Sequence, residues 1–460
     1  MKPLLLLLAL LLCTCATAQT TSAPGEGEPL TLSDAIQEGL ENNYQIRIAA
    51  NELEVARNNN DFALTEKYPL ITLGINPGVG YRRLNNPASV VVQSATTNYT
   101  VGPSANVNWV IFNGGRIKVN KERLETLADL SAGQLQLQIE NTVQDIINAY
   151  YNAVVQREQI DVLARVLTLS RDRIEYQRVR AEYGQGGTFD ELQARDAYLT
   201  DSISLTQQRV DYRNAVRDLL QVMGSDDLTR NVELTDELTY DPTNYDPTNY
   251  DPAILEQRLL VANRNLQNLL INRDLAALQT QLVQTEYAPT VGIGAGVGYD
   301  FGVSVGTQTF EFGGDQPGRE QELPGIASRT LSGNLGFTAS YLLYDGGNRR
   351  VREQTARLQE ITAQLDYQAT QQQLRAALRN TLALYENQAR IIGITEDLIA
   401  NAERNLEIAD ERFRGGTINS FDYRQIQLNY ANAEFQLLNA LLNLKNTETE
   451  LLRVTGQIVR

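Results

Sequence analysis

Few residues in this chain could carry out bond chemistry, and their types narrow the possibilities before any fold is considered. The segment GVSVG at 302–306 has the spacing of a nucleophile elbow, with Ser304 as the nucleophile. A serine of that kind needs a neighbouring base, and the 460 residues contain no histidine. The run GIGAGVG at 292–298 invites a dinucleotide reading, but its glycines recur at every second residue and no helix follows. Both matches describe one face of a strand. The two cysteines, Cys13 and Cys15, fall in an N-terminal leader, and the methionines are Met1 and Met223. Thiolate nucleophiles, disulfides and the soft or imidazole ligands of transition-metal sites are therefore missing from the rest of the chain. What remains is carboxylates such as Asp190 beside Glu191, a pairing common in any acidic helix. The expectation is a protein with no catalytic residue, no metal site and no cofactor.

The leader reads Met1-Lys2-Pro3, a Leu/Ala run to Leu12, and Ala16-Thr17-Ala18, which marks a signal peptide over 1–18. The alternative, a lipoprotein acylated at Cys13 or Cys15, has Leu12 or Thr14 where a smaller residue is preferred. Beyond the leader no apolar run approaches the roughly 20 residues of a membrane-spanning helix. If the remaining chain enters a membrane, it does so as a β-barrel. The net charge of −16 argues against nucleic acid and anionic lipid surfaces as partners, since both attract Lys/Arg patches.

The elements come in two sets. NWVIFNGGRIKV at 108–119 has a near copy, SYLLYDGGNRRV, at 340–351, and Phe112 and Tyr344 lie 232 positions apart. The same spacing relates Gly184 to Gly416, Phe189-Asp190 to Phe421-Asp422, Gln193 to Gln425 and Tyr198 to Tyr430. Upstream, Pro69 and Pro289 are 220 apart, a difference that loop insertions explain. The chain therefore divides into a first repeat over 19–239, a turn-rich linker YDPTNYDPTNYDP at 240–252, and a second repeat over 253–460.

Residues 70–82 alternate, with Ile71, Leu73, Ile75, Val79 and Tyr81 on one face and Thr72, Gly74, Asn76 and Gly78 on the other. Segments 98–112, 290–303 and 330–344 alternate likewise, apolar outward and small-polar inward with aromatics towards their ends, as outer-membrane barrel strands do. Pro77 and Pro103 each remove a ladder donor. Helices are expected over 31–67, 116–183, 188–223, 253–287, 348–413 and 418–455. The second of these, at ~1.5 Å per residue, is a rod of roughly 100 Å. Several carry coiled-coil seams, such as Leu428, Ala431, Phe435, Leu438 and Leu442. Four strands fall short of the roughly eight that close a barrel, so several chains must pool theirs.

This order, the doubled FNGGR/YDGGN strand-to-helix junction, and the turns EYGQGGTFDELQAR (182–195) and RFRGGTINSFDYRQIQ (412–427) resemble the TolC family of outer-membrane efflux proteins over essentially the whole chain after the leader. The resemblance implies a mainly α fold with a membrane β-barrel portion. It implies a homotrimer with a twelve-stranded barrel in outer-membrane lipid and a twelve-helix tunnel through the periplasm of a Gram-negative cell. The partners implied are a periplasmic adaptor protein and an inner-membrane pump, with small toxic compounds or drugs as cargo. Export of proteins through a type I secretion system is an alternative use of such a conduit, and a secreted coiled-coil structural protein without a pore is the alternative of another class. Gly114, Gly115, Gly346 and Gly347 become the joints where a tilted strand turns into a tunnel helix, a change glycine tolerates. The adaptor-docking tips map onto Tyr183, Gly184 and Gln185, and onto Gly415, Gly416 and Thr417. The family's periplasmic gate maps onto Asp190, Asp422, Gln425 and Phe413. Gln425 stands where the family's gate has a second acid, and Ile418 where some members have a bracing arginine, leaving Arg412 or Arg414 as substitutes. A plainer role for Asp190 and Asp422 is to complement the positive end of a helix.

Overall fold

A computed structural model of the chain describes residues 27–86, 88–239, 251–311 and 318–459. The expected leader and nearly all of the expected linker lie outside the described residues. The first repeat runs β1 (Glu28–Leu30), α1 (Leu32–Asn42), α2 (Tyr44–Asn59), a 3-10 turn (Phe62–Thr65), β2 (Leu70–Asn85), β3 (Val91–Asn113), α3 (Arg116–Glu182), α4 (Thr188–Met223) and β4 (Val232–Leu234). The second runs α5 (Pro252–Ala262), α6 (Arg264–Thr285), β5 (Thr290–Phe310), β6 (Arg319–Ser340), α7 (Asn348–Arg414) and α8 (Ser420–Val454).

The sheet is antiparallel in the order β2-β3-β5-β6, so the two repeats meet between β3 and β5. Its alternation gives two unlike faces. Across one face Val79 pairs with Tyr99 and Tyr99 with Val303, while Trp109 pairs with Ile293 and Ile293 with Phe337. Across the other, Gly74, Ser104, Gly298 and Ser332 form a row, and Gly78, Thr100, Gly302 and Ser328 another. The apolar face is uncovered: Leu73 is 85% exposed and Phe337 75%. The strands run farther than the apolar pattern, to Asn85 at one end of β2 and back to Val91 and Arg319 in β3 and β6. Backbone pairing continues there without greasy alternation, so the pattern marks only the part built for apolar surroundings. Conversely β6 stops at Ser340, not 344, because its partner β5 begins at Thr290, opposite Ser340, and later residues have no ladder to join.

Two expected helices are each broken by an asparagine. Asn43 Oδ1 accepts from the backbone N–H of Gln45 and Ile46, which starts α2, and Asn263 Oδ1 accepts from Leu266, which starts α6. The same side chains reach across: Asn43 Nδ2 donates to the Val222 carbonyl at 2.6 Å and Asn263 Nδ2 to the Val454 carbonyl at 2.9 Å. Each asparagine thus caps one helix and satisfies the frayed end of another. Around these breaks sit two matched cores, one with Leu30, Ile146, Leu219 and Met223 and the other with Leu255, Leu378, Leu451 and Val454. From them α3 paired with α4, and α7 paired with α8, extend as long two-helix arms. At 67 residues each, α3 and α7 are roughly 100 Å long at ~1.5 Å per residue. No helix among the described residues is long and apolar enough to cross a membrane.

Candidate functional site

The joints lie where the sheet hands over to the arms. Gly114 and Gly115 have φ of 69° and 87°, and Gly346 and Gly347 have 72° and 88°, all in the left-handed region that a Cβ disfavours. The second joint is fastened by Asp345. Its carboxylate accepts from the N–H of Gly347 at 3.1 Å and of Arg349 at 2.9 Å, and pairs with the Arg349 guanidinium at 3.1 Å. These donors, the Arg349 backbone N–H first, hold the Asp345 carboxyl below its usual range.

At the far ends of the arms the two tips turn on Gly184 (φ 68°) and Gly416 (φ 69°), with open space where a Cβ would stand. In the first tip the N–H of Gln185 returns to the Arg180 carbonyl at 2.8 Å and the Arg180 guanidinium donates to the Gln185 carbonyl at 3.0 Å. Tyr183 and Phe189 are 78% and 75% exposed. In the second tip the Thr417 N–H and hydroxyl both donate to the Arg412 carbonyl, and Gly415 stays in the right-handed helical region. Asp190 and Asp422 take the same place, the third residue of α4 and of α8, close to the positive helix end. Asp422 is exposed and Asp190 half-buried. Gln425 is exposed and donates to Asn429 Oδ1 within α8.

Phe413 does not join this set. It is 2% exposed, stacked on Tyr423 with ring centres 4.6 Å apart and tilted against Tyr176 at 4.7 Å. A ring buried among aromatics has no surface to offer a constriction, so its assignment to the gate is corrected to a packing role. The Tyr176 hydroxyl donates to the Phe413 carbonyl at 2.9 Å, and the Tyr423 hydroxyl to Asp410 at 3.0 Å. Burial, with the Asp410 charge beside it, pushes the Tyr423 hydroxyl up to about 12. Arg414 pairs with Asp410 of its own helix at 2.9 Å.

The arginine that braces the arms is one that sequence reasoning missed. Arg424 of α8 grips Asp201 of α4 with two bonds, 2.8 and 2.5 Å, and also donates to Ser170 of α3 at 3.2 Å. Ser170 in turn donates to Asp201 at 2.5 Å. Beside them Arg173, 2% exposed, reaches the Ser420 carbonyl at 3.4 Å, and among the described residues its Nε and Nη2 have no partner. Burial, followed by the Arg424 charge, pushes Arg173 down to about 10. One forked arginine thus ties three helices together a few turns above the tips. Neither Asp201 nor Arg424 stands out in an acidic, amphipathic helix, and only their meeting in space reveals them.

Comparison with known proteins bears on what such an assembly is for. The sequence pattern of the outer membrane efflux protein family matches residues 35–225 and 255–457, one match per repeat. The outer membrane efflux protein BepC of Brucella suis biovar 1 is 21% identical over 434 residues, covering 93% of this chain and 86% of its own. Among solved structures, the CmeC outer membrane channel of Campylobacter jejuni superposes with a TM-score of 0.72 at 16% identity, covering 93% of this chain and 85% of that one. The outer membrane protein VceC of Vibrio cholerae superposes with a TM-score of 0.70 at 16% identity, covering 92% and 96%. These structural matches establish the shared fold.

Proposed function

The chain belongs to the outer membrane efflux protein family, and from that premise we propose that three copies close a single conduit that receives cargo from an inner-membrane pump through a periplasmic adaptor. The family is one of outer-membrane channels, which sets aside the reading as a secreted coiled-coil protein without a pore. The observation that carries the trimer is the open sheet. Strands β2 and β6 are long edges, unpaired among the described residues, and the sheet's apolar face is bare. Such edges invite pairing with another copy, β6 of one chain against β2 of the next. Two copies would pool eight strands, a barrel whose interior side chains fill. Three pool twelve, with the Gly, Ser, Thr and Asn rows facing the lumen and the apolar face meeting lipid. The α3–α4 and α7–α8 arms of three chains then continue the wall as a helical tunnel.

In that assembly the two tips form the periplasmic mouth and the adaptor-docking surface, where left-handed Gly184 and Gly416 leave the backbone bare. Asp190 and Asp422 become a ring of six carboxylates, with Gln425 nearby, at the narrow end. The test is the mass of the detergent-solubilised protein. A trimer is expected, and a monomer with all four strands ordered would sink the reading.

A further inference from the structure

We infer that the first strand-to-helix joint binds the phosphate headgroup of an anionic phospholipid from the periplasm-facing leaflet. The inference rests on the reading that the bare apolar face of the sheet meets lipid. An open cleft of about 790 Å³ lies where β3 gives way to α3, and it is lined by Phe62, Lys67, Phe112, Gly115, Lys118 and Lys121. The Lys67 and Lys121 ammonium groups lie 3.6 and 5.5 Å from the centre of the Phe62 ring. Lys121 also donates to Asn60 Oδ1. Among the described residues none of the three lysines has a carboxylate within ion-pair distance. Glu122 and Glu125 line the cleft as well, so the lysines exceed the acids there by one.

The second joint shows what the first one lacks. Counting 232 positions on, Asn113 becomes Asp345 and Lys121 becomes Glu353. In the second repeat Asp345 supplies the negative group at the start of α7, taking N–H bonds from Gly347 and Arg349. In the first, among the described residues, Asn113 Oδ1 receives only the Ile117 N–H at 3.4 Å, and its Nδ2 is buried with no acceptor. Neither α3 nor α7 has an acid in its first turn or a side-chain cap on its N-cap glycine, so the Asp345 carboxylate ahead of α7 is what the second joint adds. The two joints share glycine geometry and cationic first turns and differ in their carboxylates: the second has Asp345 and Glu353 beside its arginines, whereas the first has Asn113 and Lys121 at those positions, at the positive end of a 67-residue helix.

The cleft's other wall argues for a lipid as the source of that anion. Phe112 pairs with Val291, two residues before Ile293, which pairs with Trp109, so the ring continues the apolar face of the sheet into the cleft. Trp109 ends that face with its indole N–H donating to the Lys67 carbonyl at 2.9 Å. Tryptophan with lysine beside it is the side-chain pairing of a membrane–water boundary. A phosphodiester among the ammonium groups, with its acyl chains along Phe112 and Ile111, satisfies both walls. The net charge of −16 repels anionic surfaces at long range, but screening over about 8 Å leaves such a cluster free to act locally.

Native mass spectrometry of the detergent-solubilised full chain tests this, with phosphatidylglycerol and phosphatidylcholine titrated separately. Wild type is expected to retain phosphatidylglycerol at least ten-fold better than Lys67→Gln/Lys118→Gln/Lys121→Gln, with phosphatidylcholine binding unchanged. Asn113→Asp, which gives the first joint the carboxylate of the second, is expected to weaken phosphatidylglycerol several-fold while all three lysines remain. Equal retention by wild type and the triple variant, or equal retention of the two lipids, overturns the assignment. Displacement of the lipid by millimolar inorganic phosphate overturns it too, by making the free ion the ligand. Failure of the lipid-facing reading is seen separately: wild type would then not insert into phosphatidylcholine vesicles, whereas a failure of this site alone leaves insertion intact.

Discussion

The two tips are built on one sequence register and fastened to different degrees. The second has an asparagine cap, Asn419 Oδ1 accepting from the Asp422 N–H at 2.8 Å, a threonine bonded twice to the helix it leaves, and the Phe413 cluster at its base. The first starts α4 from Gly187 with no side-chain cap, and Arg180 reaching the Gln185 carbonyl is the side-chain bond that closes its loop. The position 232 before Phe413 is Ala181, so no ring stands where the second tip has its anchor. Local stability follows buried contacts and satisfied backbone groups. The first tip is therefore the looser of two ends that sequence alone presents as twins.

The largest expected effect ignores that difference, since the docking proposed for the tips asks only that both turns stay bare. Gly184→Trp/Gly416→Trp should lower export at least ten-fold while leaving outer-membrane location and trimer yield unchanged. Both positions have positive φ, so any side chain there adds roughly 1–2 kcal/mol of strain. Gly184→Ala/Gly416→Ala carries the strain without the bulk and should export nearly normally. Normal export by the Trp pair would remove docking from these turns.

Next in size is the brace above the tips. Asp201→Ala leaves the buried Arg173 and the half-buried Arg424 without that counter-charge, and Arg424→Ala leaves Asp201, whose side chain is 7% exposed. Removing one partner of a buried pair costs about 3–5 kcal/mol, which thermal unfolding of the solubilised protein reads directly. Replacing both by leucine should recover most of that loss, because the penalty belongs to the orphaned charge. A loss from the double replacement as large as from the single ones would mean that the helices are held by the specific geometry.

What the sequence disclosed about this comparison, and what it hid, has a physical cause. The apolar alternation of β2, β3, β5 and β6, the paired glycines and the 232-residue register are local patterns, so they can be read from one string of letters. The breaks at Asn43 and Asn263 were legible in principle, since they stand 220 apart, the same spacing as Pro69 and Pro289, and asparagine favours caps. The Arg424–Asp201 grip was not, because its residues lie 223 positions apart and each suits a solvated helix face. Phe413 failed in the opposite direction. The family resemblance maps it onto the gate, while its neighbours in space, Tyr176 and Tyr423, enclose it.

A smaller pair of substitutions sharpens the contrast in capping. Asn419→Ala removes the acceptor at the start of α8 and should cost about 1 kcal/mol. Gly187→Asn offers α4 the acceptor it lacks, at a position with φ of −95° and no tight neighbour, and should gain only a few tenths of a kcal/mol, since glycine is itself a tolerated cap. Hydrogen exchange at each tip measures both. Equal protection of the two wild-type tips would refute the claim that they differ.

The finest comparison is between Asp190 and Asp422, which hold the same helix position in unlike surroundings. As helix-end charges each should contribute about 0.3–1 kcal/mol, lost on change to asparagine and without effect on conduction. As members of a six-carboxylate ring they would instead concentrate cations at the mouth, because like charges in a narrow low-dielectric opening focus a negative potential. Planar-bilayer recordings of wild type against Asp190→Asn/Asp422→Asn separate these. The ring reading requires a lower cation preference and weaker block by trivalent cations in the variant. The single variants then rank the two positions. Asp422, the more exposed, is expected to carry more of the block, and the half-buried Asp190 more of the stability. Unchanged selectivity in the double variant would leave both carboxylates as companions of their helix ends.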